Sequence, residues 1–92
     1  MAGPVNLIWA GARPLPAGYA DIVMTWHVQN PDFSVVFWLD AANPDFNAAR
    51  QSFRNQPMIL VQTLLAGAVP PGGGSAPHTD VLSGLGFTVT VS

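Results

Sequence analysis

VNLIWAGARPLPAGYADIVMTWHVQNPDFSVVFWLD, residues 5–40, is the stretch that decides the fold, because it joins two apolar runs through turn residues and one helical repeat. The run from Val5 to Ala10 is short, apolar and closed by Gly11, which predicts a strand. We expect this strand to be buried on both faces. Phe33 to Leu39 is nearly continuous in apolar residues and predicts a second strand, of the kind that parallel sheets cover on both faces.

Between these strands, four apolar residues recur at intervals of three and four positions: Tyr19, Ile22, Val23 and Trp26. This spacing lines one face of a helix, which we expect from about residue 17 to residue 29. The helix ends at Asn30-Pro31-Asp32, because proline disfavours helical geometry at the residue before it. A strand, a helix and a strand in this order predict an α/β fold, in which ligands bind at the carboxyl ends of the strands.

The same stretch carries several uncommon residues in a fixed order. They are Ile8-Trp9-Ala10-Gly11, Pro14-Leu15-Pro16, Tyr19, Trp26, Asn30-Pro31-Asp32-Phe33 and Phe37-Trp38-Leu39-Asp40. This order resembles the start of the clostridial glucosylating-toxin and DXD-containing sugar transferase family. Ala12 departs from the family pattern, where a second glycine stands, and an additional residue, Leu39, precedes Asp40.

The resemblance implies an α/β fold with a partial Rossmann-like, GT-A type parallel sheet, flanking helices, and about three strands and three helices. It implies an amino-terminal fragment of a glycosyltransferase that transfers a sugar from a UDP-sugar donor to a protein or glycan acceptor. The segment would carry the base-binding wall of the donor site. Mn²⁺ is expected for the complete family domain.

Four residues are candidates for contact with the nucleotide. Trp9 resembles the family tryptophan that stacks on uracil, and Ile8 resembles a residue lining the same base; the alternative for both is ordinary strand core. Asp40 closes the second strand, where an acid commonly meets a ribose hydroxyl, although a loop acid has the same pattern. Asn43 could replace a uridine-contacting asparagine of the family, but it is also a natural helix N-cap, which we favour.

No catalytic residue or metal site is predicted. Transfer from a nucleoside diphosphate requires neutralisation of the leaving group, usually by a divalent cation held by carboxylates. The five aspartates stand singly, at positions 21, 32, 40, 45 and 80, and no D-x-D pattern occurs. We expect the DXD segment of the family to lie downstream of Ser92.

The remainder of the chain has weaker patterns. Asn43-Pro44 predicts a helix that extends to about Gln56. We expect residues 58–66 to form another helix, with a short strand over 58–61 as the alternative. These elements complete an amino-terminal half, residues 1–66. Residues 67–77 are mainly Pro, Gly, Ala and Ser and predict a flexible loop, and residues 78–92 predict a short helix capped by Gly86 and a strand.

Composition limits the partners. The chain has three Arg, no Lys, five acidic residues and a net charge of -2, which offers no electrostatic footprint for nucleic acid or an anionic membrane. It has no Cys and no basic segment typical of a signal peptide. We expect a cytoplasmic protein or a secreted effector without a Sec signal.

Besides a nucleotide sugar, expected partners are the missing remainder of the domain or a second chain. The alternative function is a non-catalytic interaction module that associates through an exposed sheet edge.

Overall fold

The computed structural model describes residues 2–65, 72, 74 and 76–92. These residues form four strands and three helices in an α/β fold. In chain order the elements are β1 (Ala2–Trp9), α1 (Tyr19–Gln29), β2 (Phe33–Leu39), α2 (Phe46–Phe53), β3 (Ile59–Thr63), α3 (Asp80–Gly84) and β4 (Thr88–Val91). The strand–helix–strand unit predicted for residues 5–40 is confirmed. α1 and β2 begin within two residues of their expected starts, whereas β1 begins earlier than expected, at Ala2.

The four strands form one mixed sheet in the order β3-β2-β1-β4. β1 pairs in parallel with β2, and β2 pairs in parallel with β3, whereas β4 runs antiparallel to β1. The expectation of a parallel sheet of about three strands is therefore wrong at β4 and in the number of strands. The first three strands follow the usual pattern of βαβ crossovers, which step across the sheet in one direction and leave their helices on one face.

All three helices contribute to a single core on one face of the sheet. Phe37 of β2 lies at its centre, fully buried, with ring centroids of Tyr19, Phe53 and Phe87 between 5.5 and 6.3 Å away. The other core residues include Val5, Leu7, Val23, Trp26, Val35, Leu39, Ala49, Ile59 and Leu82. The strand members alternate along β1 and β2, because successive side chains of a strand point to opposite faces.

The opposite face of the sheet is covered by none of the described helices. In β1 every residue from Val5 to Trp9 is nevertheless buried, as predicted. In β2 buried and half-buried residues alternate, so the prediction of cover on both faces is wrong for this strand. Trp38 lies on this second face, half-buried, and its indole Nε1 donates a hydrogen bond to Asn6 Oδ1 at 3.0 Å.

The helix expected over residues 58–66 is also wrong, and the alternative of a strand is correct. Pro57 stops the preceding helix, and residues 59–63 instead pair with β2, from Val35 opposite Ile59 to Leu39 opposite Thr63. This pairing places Ile59 in the core at 4 % exposure. For so short an apolar run, pairing with a neighbouring strand that has free backbone groups decides between helix and strand. The periodicity of the sequence does not reveal such a neighbour.

The helix expected from Asn43-Pro44 begins later, at Phe46, with Asp45 as its N-cap residue. The carboxyl-terminal helix ends as predicted: Gly86, at φ 108°, donates its N–H to the carbonyl of Ser83, and Phe87 donates to that of Leu82. This is the Schellman arrangement of a helix end. The flexible loop predicted for residues 67–77 lies mostly outside the described residues.

Candidate functional site

Two loops meet at the carboxyl ends of β1 and β2, the edge of the sheet at which the sequence predicts a ligand site. The first comprises residues 10–18 and connects β1 to α1; the second comprises residues 40–45 and connects β2 to α2. Trp9 and Leu39 are paired across the two strands, so both loops start side by side. Pro14 and Pro16 restrict the first loop, because each fixes its own φ and keeps the preceding residue extended.

Trp9 ends β1 with its ring on the helix face of the sheet. It is 4 % exposed, and its ring centroid lies 5.1 Å from that of Phe87. Indole Nε1 donates a hydrogen bond to the carbonyl oxygen of Arg13 at 2.9 Å. The Arg13 guanidinium lies over the same ring, with its central carbon 4.3 Å from the centroid, a cation–π distance. An exposed, flexible side chain therefore covers the indole in this structure.

Asn43 joins the two loops and is 4 % exposed. Its Nδ2 donates to the carbonyl oxygens of Gly11 at 3.0 Å and Arg13 at 2.7 Å. Its Oδ1 accepts from the backbone N–H of Asp45 at 2.9 Å. Asn43 is not the N-cap residue of α2, contrary to the favoured interpretation, because the helix begins three residues later and Asp45 holds that position. Asn43 Oδ1 caps the turn that leads into the helix, while its Nδ2 binds the first loop.

The two aspartates of the second loop have different roles. Asp45 Oδ2 accepts a hydrogen bond from the backbone N–H of Leu15 at 2.8 Å, which adds a second tie between the loops. Asp40 is half-buried, and its Oδ1 accepts from the backbone N–H of Ala42 at 2.8 Å. Within the described part of the chain, Asp40 Oδ2 has no hydrogen-bond partner. Asp40, like Asp45 with its Oδ1, thus keeps one carboxylate oxygen available to a ligand.

Ile8 lies apart from the other candidates. It is 6 % exposed and is paired with Trp38, outside the helix-face core that contains Trp9. Adjacent residues of a strand direct their side chains to opposite faces, so Ile8 and Trp9 cannot flank one ligand from the same side. The structure brings together Trp9, Asp40 and Asn43, and leaves Ile8 on the helix-free face.

Sequence reasoning does not select Arg13 or Asp45. A lone arginine in a proline-rich loop has the pattern of a solvated side chain, and only the fold brings its guanidinium over Trp9. Asp45 stands singly in the sequence, 30 positions from its partner Leu15. The spacing Trp9 to Arg13 is the one available signal, since a turn at Gly11, which has φ 86°, can bring a side chain two residues later back over the strand end.

Metal ligation has no structural basis in the described residues. They contain no group of three or more His, Cys, Asp or Glu side chains that could hold a metal ion. On their own, these residues therefore do not fit a Mn²⁺ site. Within the same part of the chain, no helix is both long and apolar enough to cross a membrane.

Comparisons with known proteins do not add a relative. The chain matches no protein-family model, no curated protein and no solved structure.

Proposed function

We propose that the loops after β1 and β2 form the base-binding wall of a nucleotide-sugar site in a glycosyltransferase, with a UDP-sugar as donor. The single observation that carries the proposal is the contact of the Arg13 guanidinium with the Trp9 indole. A planar group already rests on the ring, which supports stacking of another planar group, a uracil base, in the same place. The order of residues shared with the sugar transferase family supports the choice of ligand.

The surrounding groups suit the rest of a nucleotide. Displaced from the ring, Arg13 stays tethered to the first loop, where its guanidinium can meet the diphosphate in a charge-assisted hydrogen bond. Asp40 begins the adjacent loop with an oxygen free to accept from a ribose hydroxyl. Asn43 holds the backbone of both loops, so it acts as a positioning residue rather than a nucleotide ligand.

Two-dimensional NMR with UDP-glucose and Mg²⁺ tests this proposal on the chain as it exists. The indole N–H signal of Trp9 and the amides of residues 40–43 should shift. The indole signals of Trp26 and Trp38 are internal controls, because the N–H of Trp26 donates to Pro77 and that of Trp38 donates to Asn6 on the opposite face of the sheet. Equal shifts of all three indoles, or none at millimolar ligand, would overturn the proposal.

A variant and a ligand series sharpen the test. Arg13→Gln removes the cation and should weaken the binding of UDP but not that of uridine, because the diphosphate would meet the guanidinium whereas the base only has to displace it from the ring. Arg54→Gln is the matched control, because Arg54 is an exposed arginine in the groove between α2 and β3. The same loss of UDP and uridine binding in Arg13→Gln would contradict the assignment of Arg13 to the phosphates.

A second candidate function is a non-catalytic module that associates through a sheet edge. β3 ends the sheet and pairs on one side, with β2, among the described strands. Its residues Leu60, Gln62 and Thr63 are exposed. Sedimentation velocity over a range of concentrations tests self-association, and a monomer throughout that range would exclude pairing with a second copy.

A further inference from the structure

The outer edge of β3 presents backbone groups in a fixed pattern. At its two ends, Val35 N–H donates to the carbonyl of Met58 at 2.7 Å, and Leu64 N–H donates to the carbonyl of Leu39 at 2.9 Å. Backbone groups alternate in direction along a strand, so the residues with even numbers from 58 to 64 face β2. Val61 and Thr63 therefore direct their N–H and C=O groups outward, whereas Ile59 N–H is occupied by Gln56.

An open groove of about 510 Å³ lies between this edge and α2. Its lining includes Asn47, Arg50, Gln51, Arg54, Gln56 and Leu60. Two of the three arginines of the chain are thus in the groove, and none of the five aspartates lines it. The net charge of the chain is negative, so this local excess of positive charge is opposite to the average of the molecule.

Neither guanidinium is neutralised within the described part of the protein. Arg54 Nη1 donates to Gln51 Oε1 at 3.2 Å, and the Arg50 guanidinium lies 5.8 Å from the ring centroid of Phe46. No carboxylate of the described residues forms an ion pair with either of them. Both side chains are exposed and can turn toward an incoming anion.

The spacing of the two arginines matches that of an added strand. Arg50 and Arg54 are four residues apart on one helical face, a rise of about 6 Å at 1.5 Å per residue. Alternate side chains of an extended strand are roughly 6.6 Å apart and share one face. Carboxylates at positions i and i+2 of a strand paired with β3 would therefore lie at the same interval as the two guanidiniums.

We propose that the edge of β3, Arg50 of α2 and Arg54 directly after that helix form a docking groove for an extended acidic segment of a partner protein. The segment adds a strand to β3 and presents acidic side chains at alternate positions to Arg50 and Arg54. A second copy of this chain does not supply such a segment, because no two of its aspartates are two residues apart. The proposal rests on the second candidate function and is independent of nucleotide binding.

Fluorescence anisotropy with two labelled, blocked hexapeptides, TDVDVT and TNVNVT, tests the groove on the intact chain. TDVDVT should bind more tightly, and its affinity should fall as salt is raised. Arg50→Gln and Arg54→Gln should each weaken TDVDVT about 2- to 5-fold and leave TNVNVT unchanged, as expected for exposed ion pairs. Arg13→Gln makes the same change of charge at the loops after β1 and β2 and should leave the binding of both peptides unaffected.

A backbone variant tests the edge separately. Thr63→Pro removes one outward N–H without touching a bond to β2, and an outward position of an edge strand tolerates proline. It should weaken both peptides and leave the dispersion of the amide spectrum intact. Amide shifts on TDVDVT binding should centre on residues 59–63.

The possible outcomes distinguish between the acidic partner, association through the sheet edge and the absence of both. Equal binding of both peptides, with no effect of the arginine variants, would overturn the acidic partner and retain association through the edge. A dimer sensitive to Thr63→Pro, without peptide binding, would replace the partner by a second copy. No peptide binding and no self-association would overturn both the groove and the second candidate function.

Discussion

Replacement of Asn43 by alanine is the sharpest test of how the two loops are held. The side chain is 4 % exposed and makes three hydrogen bonds, to Gly11, Arg13 and Asp45. Each such bond contributes about 0.5 to 1.5 kcal/mol net. Gly11 and Arg13 are exposed, so water can replace some of the lost hydrogen bonds. We therefore expect Asn43→Ala to lower the free energy of unfolding by about 2 to 3 kcal/mol.

Urea unfolding monitored by tryptophan fluorescence measures this cost. For a chain of this size the urea midpoint should fall by about 1 to 2 M, with an unchanged slope. Asn43→Asp should cost at least as much as Asn43→Ala, because it turns a carboxylate oxygen toward two carbonyl oxygens. Asn47→Ala removes an exposed asparagine of α2 and should stay within about 0.5 kcal/mol of the wild type.

The reasoning is refuted if Asn43→Ala costs no more than Asn47→Ala. Such a result would mean that the loops keep their geometry without the side chain, and that the prolines and the tie between Leu15 and Asp45 are sufficient. An Asn43→Asp variant as stable as the wild type would contradict the donor role given to Nδ2.

Two further changes test the fold by the same unfolding measurement. Gly86→Ala should destabilise by about 1 to 3 kcal/mol, because Gly86 has φ 108° and a Cβ there would lie 3.0 Å from Cζ3 of Trp9. Gly84→Ala, at the last residue of α3 with open space around it, should stabilise by up to about 1 kcal/mol, and equal effects of the two changes would contradict this account. Phe37→Ala should cost about 3 to 5 kcal/mol, since it empties the centre of the aromatic core, and a cost below about 1 kcal/mol would remove Phe37 from that place.

Local patterns in the sequence predict those helices, strands and turns that are specified by their own residues. The helical repeat from Tyr19 to Trp26, the turn at residues 30–32 and the two apolar runs each specify their structure from neighbouring residues, and the fold has α1, β1 and β2 there. Gly86 as the helix cap is predictable for the same reason, because a positive φ after a helix favours glycine. The nucleotide ligand stays a prediction of the resemblance.

The candidate site is predictable in position and not in detail. Trp9 and Asp40 follow from the rule that ligands bind at the carboxyl ends of parallel strands. Ile8 accompanies Trp9 in the same argument, yet the alternation of a strand sends it to the other face. Asn43 has the pattern of a helix cap and accepts from the nearby Asp45 N–H, but its Nδ2 contacts residues about 30 positions earlier, which no local pattern contains.

The sequence by itself determined the βαβ unit and its turns, because periodicity, proline and glycine act over a few residues. The tertiary structure alone decided that residues 59–63 extend beside β2, that β4 runs antiparallel to β1, and that Arg13 covers Trp9. The physical reason is that each of these depends on which distant backbone edge or ring is within reach. That partner is set when the whole chain packs, and short-range preferences of a few tenths of a kcal/mol per residue do not select it.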